Sequence, residues 1–150
     1  MVTLERTSAA VPGRVAATYA DGIILVARIM IGLIFVMSGW SKLMNFSGAV
    51  SGIAKRGVPE ALAYLAPPVE FFGGLAIMLG LFTEWAAILM VVFTIIATLT
   101  SHRYWEFSDP AQYRAQNTNF FKNVTMIGGM LLLFVTAGGR YSVDALFRRR

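Results

Sequence analysis

Four apolar stretches, each long enough to cross a bilayer, constrain this chain more than any other feature. A helix needs about 20 mostly apolar residues to traverse the hydrocarbon layer. Residues 23–43, 61–82, 85–102 and 120–137 each meet that length. Apolar residues make up 57% of the 150-residue chain and charged residues 14%, against roughly 25% charged in soluble domains. Water could not cover so apolar a surface at this size, whereas lipid can. The expected fold is therefore all-α: an integral membrane four-helix bundle in one domain.

The first stretch carries Arg28 and the second carries Pro67, Pro68 and Glu70, while Lys122 and Asn123 stand at the start of the fourth. A helix beginning at the prolines would rise only about 22 Å, too short to span, so residues 60–66 are expected to be helical too. The spacing predicts a tight turn at Thr83–Glu84 and loops of some 15–20 residues after the first and third crossings. Both long loops then lie on one side, and both chain ends with the tight turn on the other. Six basic residues fall on the termini side (Arg6, Arg14, Arg140, Arg148, Arg149, Arg150) and six on the loop side (Lys42, Lys55, Arg56, Arg103, Arg114, Lys122). The positive-inside rule thus returns a tie, which the block 148–150 tips toward cytoplasmic termini. Residues 1–21 read as a polar N-terminal segment, 22–147 as the four-helix domain and 148–150 as a basic tail. No cleavable signal peptide is evident, and the first apolar run is long enough to remain as an uncleaved anchor.

Two constellations could carry chemistry. Arg28 heads a helical stripe of Gly32, Phe35, Gly39 and Lys42, and Glu70 heads a stripe of Gly73, Gly74, Ile77 and Leu81. Small residues on both stripes let the backbones approach closely. Counting rise from the ends of the apolar runs puts Arg28 and Glu70 about 10 Å apart along the axis, within reach of an arginine in tilted helices. The expectation is an Arg28–Glu70 pair at the centre of an intramembrane polar site, because ionisable groups at that depth are functional candidates. The plainer alternatives are an Arg28 that snorkels to the interface and a Glu70 that is protonated or tied to backbone.

The second constellation is a rim on the loop side, with Lys42, His102, Arg103, Lys122 and Asn123 among Trp40, Tyr104, Trp105 and Phe121. Basic and aromatic groups together suit a small anion or a quinone headgroup, and equally serve as interface anchors. Thr94, Thr98 and Ser101 read as structural hydroxyls. One histidine and no cysteine exclude bis-histidine haem, Cys-ligated clusters and any metal site within the chain. A P-loop, a G-x-G-x-x-G motif and a nucleophile–base pair are also missing, so whether the chain is an enzyme stays open. The net charge of +5 comes from residues scattered at segment ends, which suits lipid headgroups and not nucleic acid. Gly138 and Gly139 are expected to end the fourth helix, Ser142 to cap a short turn, and Leu146 and Phe147 to rest at the interface.

These motifs, in this order, resemble the DoxX family of small bacterial four-helix membrane proteins. The matching pieces are Arg28 with Gly32, Phe35, Ser38-Gly39 and Lys42-Leu43; Val69-Glu70 with Gly73-Gly74-Leu75; and Leu79-Gly80-Leu81-Phe82-Thr83. His102 with Tyr104-Trp105, Phe121-Lys122-Asn123 with Gly128-Gly129, and Gly139-Arg140-Tyr141-Ser142-Val143-Asp144 complete the set. Glu84 departs from the pattern, since related sequences often carry a basic residue there. The resemblance implies a multi-pass protein of the bacterial cytoplasmic membrane. Its implied role is that of an accessory component of a quinone-linked redox system, an oxidoreductase subunit without a redox cofactor of its own. The family's name comes from a subunit associated with a quinol oxidase and a thiosulfate:quinone oxidoreductase. Other members are thought to partner soluble redox enzymes. The expected ligand is a quinone or small anion, held by Arg28, Glu70 and the rim residues Lys42, His102, Lys122, Asn123, Trp40 and Trp105. The expected partner is another protein or a second copy of the chain. A structural subunit that recruits a partner complex, or a proton or small-solute carrier, is the alternative.

Overall fold

The computed structural model describes residues 14–148. Residues 1–13 of the expected polar segment and Arg149–Arg150 of the expected basic tail lie outside them. Four long helices dominate: α1 (Arg14–Met44), α3 (Glu60–Leu79), α4 (Thr83–Ser101) and α5 (Pro110–Thr136). Two short ones, α2 (Phe46–Ala54) and α6 (Val143–Arg148), and a 3-10 turn at Tyr104–Glu106 complete the described chain, which contains no strand. All four long helices are apolar and long enough to cross a membrane. Most large apolar side chains point outward, among them Met30, Leu132 and Val135, as they must where lipid is the solvent.

The helix boundaries follow local chemistry more closely than hydropathy. α1 begins inside the expected polar segment. α5 starts ten residues before its apolar run, because Asp109 caps it by accepting the Gln112 amide at 2.8 Å and Pro110 occupies the first turn. α3 runs unbroken from Glu60 through Pro67 and Pro68, the extension that a full crossing requires. It stops three residues earlier than its hydropathy suggests. Gly80 takes a left-handed φ of 68°, with Leu81 N bonded to Ala76 O and Gly80 N to Ile77 O, which is the Schellman arrangement. The tight turn therefore lies at residues 80–82, and Thr83–Glu84 form the first turn of α4. The loop after the first crossing is also largely helical: α2 buries Val50 and sets Phe46 against Tyr64 of α3, rings 5.9 Å apart.

The interior is built on glycine. A methyl placed on Gly39 would sit 2.6 Å from the Phe71 backbone nitrogen, and one on Gly74 would sit 2.6 Å from Phe35 Cβ. Gly32 lies as tightly against Met78. These contacts bring α1 and α3 backbone to backbone and fix their register. Gly73 receives Met90 of α4. Phe35, Ile77, Ala87, Met90, Met130 and Leu133 form the buried core between the four long helices.

Candidate functional site

The register set by the glycines separates the two charges expected to pair. With Gly39 beside Phe71, the α1 residue level with Glu70 is Trp40, twelve residues and about 18 Å from Arg28. Arg28 and Glu70 do not meet, because Arg28 lies beside the Gly80 turn that ends α3, ten residues along that helix from Glu70. Each charge instead anchors its own polar centre, one in each half of the bundle.

In the loop-side half, Lys42 Nζ forms an ion pair with Glu70 Oε2 and donates to Ser38 Oγ at 2.9 Å. Ser38 and Lys42 are one helical turn apart in α1, so a single face presents both to α3. The Glu70 side chain is 8% exposed and that of Lys42 is 35% exposed, so the cation is the outer member of the pair. Trp40 lies beside them with its ring tilted against that of Phe71, centroids 5.8 Å apart. Across the bundle, Asn123 is buried and donates to Thr98 Oγ1 at 2.9 Å, while Thr98 and Thr94 donate to the carbonyls of Thr94 and Met90 at 2.6 Å each. The contact of Gly73 with Met90 places Thr94 at the level of Glu70.

The expected rim divides accordingly. Lys42 and Trp40 belong to the Glu70 centre. Asn123 turns inward to α4 and does not line a rim. Gln116 Oε1 accepts a hydrogen bond from His102 Nδ1 at 2.8 Å, and Arg56 donates to Ser101 Oγ at 3.1 Å. Arg103 pairs with Glu106 at 3.1 Å. Lys122 is exposed and bonds Asn119 of its own helix. Trp105 is half exposed in an aromatic cluster centred on Tyr104, with Tyr113 and Phe120.

The termini-side centre is organised by the segment that follows α5, which contains Tyr141, Ser142 and Asp144. Arg28 is fully buried, and its Nη2 donates to the Tyr141 carbonyl at 2.5 Å, while Nε and Nη1 find no hydrogen-bond partner among the described residues. It neither pairs with Glu70 nor snorkels. Gly80 makes room for the guanidinium, since a side chain there would collide with Nη1. Asp144 accepts from Phe82 N at 2.7 Å, Thr83 N at 2.8 Å and Thr83 Oγ1 at 2.7 Å, capping α4 from sixty residues downstream. Burial alone would raise the Asp144 carboxyl, but those three hydrogen bonds and the nearby Arg148 hold it below the ordinary carboxylate value. Ser142 caps α6 as expected, accepting from Ala145 N at 3.2 Å, and Asp21 Oδ1 accepts from Arg140 N at 2.8 Å. The sequence signal for this clasp was the run Gly138-Gly139-Arg140-Tyr141-Ser142-Val143-Asp144, whose turn formers imply a structured segment but not its target. Among the described residues no cluster of His, Asp or Glu could hold a metal ion.

Comparison with known proteins agrees with this architecture. The DoxX family model matches residues 23–103, and the SURF4 family model matches residues 70–149. The chain is 34% identical to the inner membrane protein YqjF of Escherichia coli (strain K12), over 85% of this chain and 93% of that one. It is 36% identical to the inner membrane protein YphA of the same organism, over 81% and 88% respectively. CatD of Bacillus subtilis (strain 168), named provisionally as an oxidoreductase, is 30% identical over 51% of this chain and 57% of its own. No solved structure matches. A bundle of four apolar helices with charges locked inside it, the family match over more than half the chain and two inner membrane relatives matched over most of their length lead to one conclusion: the chain belongs to the DoxX family.

Proposed function

We propose that this protein is a membrane-embedded accessory component of a quinone-linked redox system, in which the Lys42–Glu70 centre receives the headgroup of a quinone. The observation that supports this most is the burial of Glu70 in the hydrocarbon layer with Lys42 as its counter-ion. A carboxylate at that depth is costly, and a buried ion pair adds little to stability over an apolar pair, so its presence favours a functional role. In this reading Lys42, partly exposed beside Trp40 and Phe71, donates to a quinone carbonyl oxygen, and Glu70 relays the two protons that the quinone takes up with two electrons. The electrons come from a partner redox protein, since the chain has no cysteine and no cofactor motif. The name of CatD is in keeping with such a setting. Gly32, Gly39 and Gly74 are used inside this chain, between α1 and α3, so they do not by themselves support a purely assembly role.

The test is binding of a short-chain ubiquinone to the full-length protein in liposomes. Losing one charge-assisted hydrogen bond, roughly 1.5–3 kcal/mol, should weaken binding about tenfold or more in Glu70→Gln and in Lys42→Met. A wild-type protein that binds no quinone, or variants that bind as tightly as wild type, would reject the reading.

A further inference from the structure

On the termini side, at the level where α3 ends, a groove of about 450 Å³ is lined by Leu79, Arg140, Tyr141, Ser142, Val143 and Leu146. We infer that this groove binds an anionic phospholipid, with the phosphate at Arg140 and an acyl chain along Leu79 and Leu146. Nothing in this assignment depends on the Lys42–Glu70 centre, which lies in the opposite half of the bundle.

Three observations converge. First, the lining is cationic and apolar without a carboxylate. The Arg140 guanidinium is exposed and has no partner among the described residues, because only its backbone amide is engaged, by Asp21. Second, a further positive charge lies against two of the lining residues. Arg28 donates to the Tyr141 carbonyl, a methyl on Gly80 would meet both the Arg28 guanidinium and Ser142, and Arg28 is fully buried with two nitrogens lacking hydrogen-bond partners among the described residues. Asp144 offsets that charge only in part, since its oxygens are directed at the amides of Phe82 and Thr83 and at the Thr83 hydroxyl. In a low-dielectric surround, a buried cation of this kind projects its field into the groove above it. Third, the apolar wall lies where hydrocarbon begins: Leu79 is the last residue of a spanning helix and half exposed, and Leu146 is 62% exposed. A free inorganic anion would leave this wall unused.

The neighbouring groove serves as an internal comparison. It holds about 390 Å³ on the other flank of α6, but its lining includes Glu84 and Asp144 as well as Arg148. Arg148 there faces Glu84 at 3.7 Å. Its lining sets two carboxylates against one arginine, whereas the first groove is lined by Arg140 and no carboxylate.

The experiment measures thermal unfolding of the full-length protein in detergent, titrated separately with short-chain phosphatidylglycerol, short-chain phosphatidylcholine and inorganic phosphate. Phosphatidylglycerol should stabilise at a concentration about fivefold lower than phosphatidylcholine, the preference one basic residue confers near a charged surface. In Arg140→Gln, an exposed change compatible with folding, that preference should fall below about twofold. Equal effects of the two lipids would leave apolar contact alone and overturn the inference. So would inorganic phosphate matching phosphatidylglycerol, or an Arg140→Gln protein that keeps the full preference.

Discussion

At the scale of single residues, the buried charges divide by what answers them. Glu70 is answered by Lys42, whose side chain is partly exposed at the outer edge of the pair. Arg28 is answered by the Tyr141 carbonyl and, at longer range, by Asp144, both on a segment folded against the bundle. Asp144 is consequently the residue whose loss should be felt most on that side. Asp144→Ala removes three hydrogen bonds at the start of α4 and should lower stability by roughly 1–2 kcal/mol, as loss of a helix cap does. The effect has a definite pH dependence. The folded carboxyl lies below its ordinary value of 3.8, so the unfolded chain takes up the proton first as pH falls. Its contribution is therefore complete above about pH 4 and lost as pH falls through the folded value. Unfolding in detergent at a series of pH values should show wild type and Asp144→Ala converging only in strong acid. Hydropathy made Arg28 and Glu70 conspicuous, but it does not encode which distant group meets each.

At the scale of elements, the contact between α1 and α3 decides where every polar group sits. Gly39→Ala would drive a methyl into the Phe71 backbone, where no rotamer can relieve it, and should cost about 1–3 kcal/mol. Gly22→Ala, in the same helix with nothing within 4 Å, should be neutral or stabilising by up to about 1 kcal/mol. Thermal unfolding of the two variants side by side checks the contrast. The stripes themselves were legible: Arg28, Gly32, Phe35 and Gly39 all face inward, as do Glu70, Gly73, Gly74 and Ile77. Their relative height was not, because apolar runs end gradually whereas helices end at caps. The observed register comes from Gly39 lying against the Phe71 backbone, which sets Glu70 level with Trp40 and away from Arg28. The early start of α5 was likewise written in Asp109-Pro110, a cap signal that the search for apolar residues passes over.

At the scale of the whole molecule, four crossings place residues near Arg56 and Ser108 on one face of the membrane and those near Glu84 and Arg140 on the other. The native chain contains no cysteine, so single substitutions report this cleanly. In intact cells, Arg56→Cys and Ser108→Cys should react alike with an impermeant maleimide, and Glu84→Cys and Arg140→Cys should show the opposite behaviour. A mixed pattern within either pair would contradict the topology. The number of crossings, the all-helical class and the candidacy of every buried charge were set by the sequence alone, since the demand that hydrocarbon makes on a backbone and on an ionised group is local and can be read residue by residue. Partnership was decided only in three dimensions. Lys42 with Glu70, Tyr141 with Arg28 and Asp144 with the head of α4 each depend on the register of glycine-packed helices and on where a distant tail folds back, and those are properties of shape that no stretch of chain carries by itself.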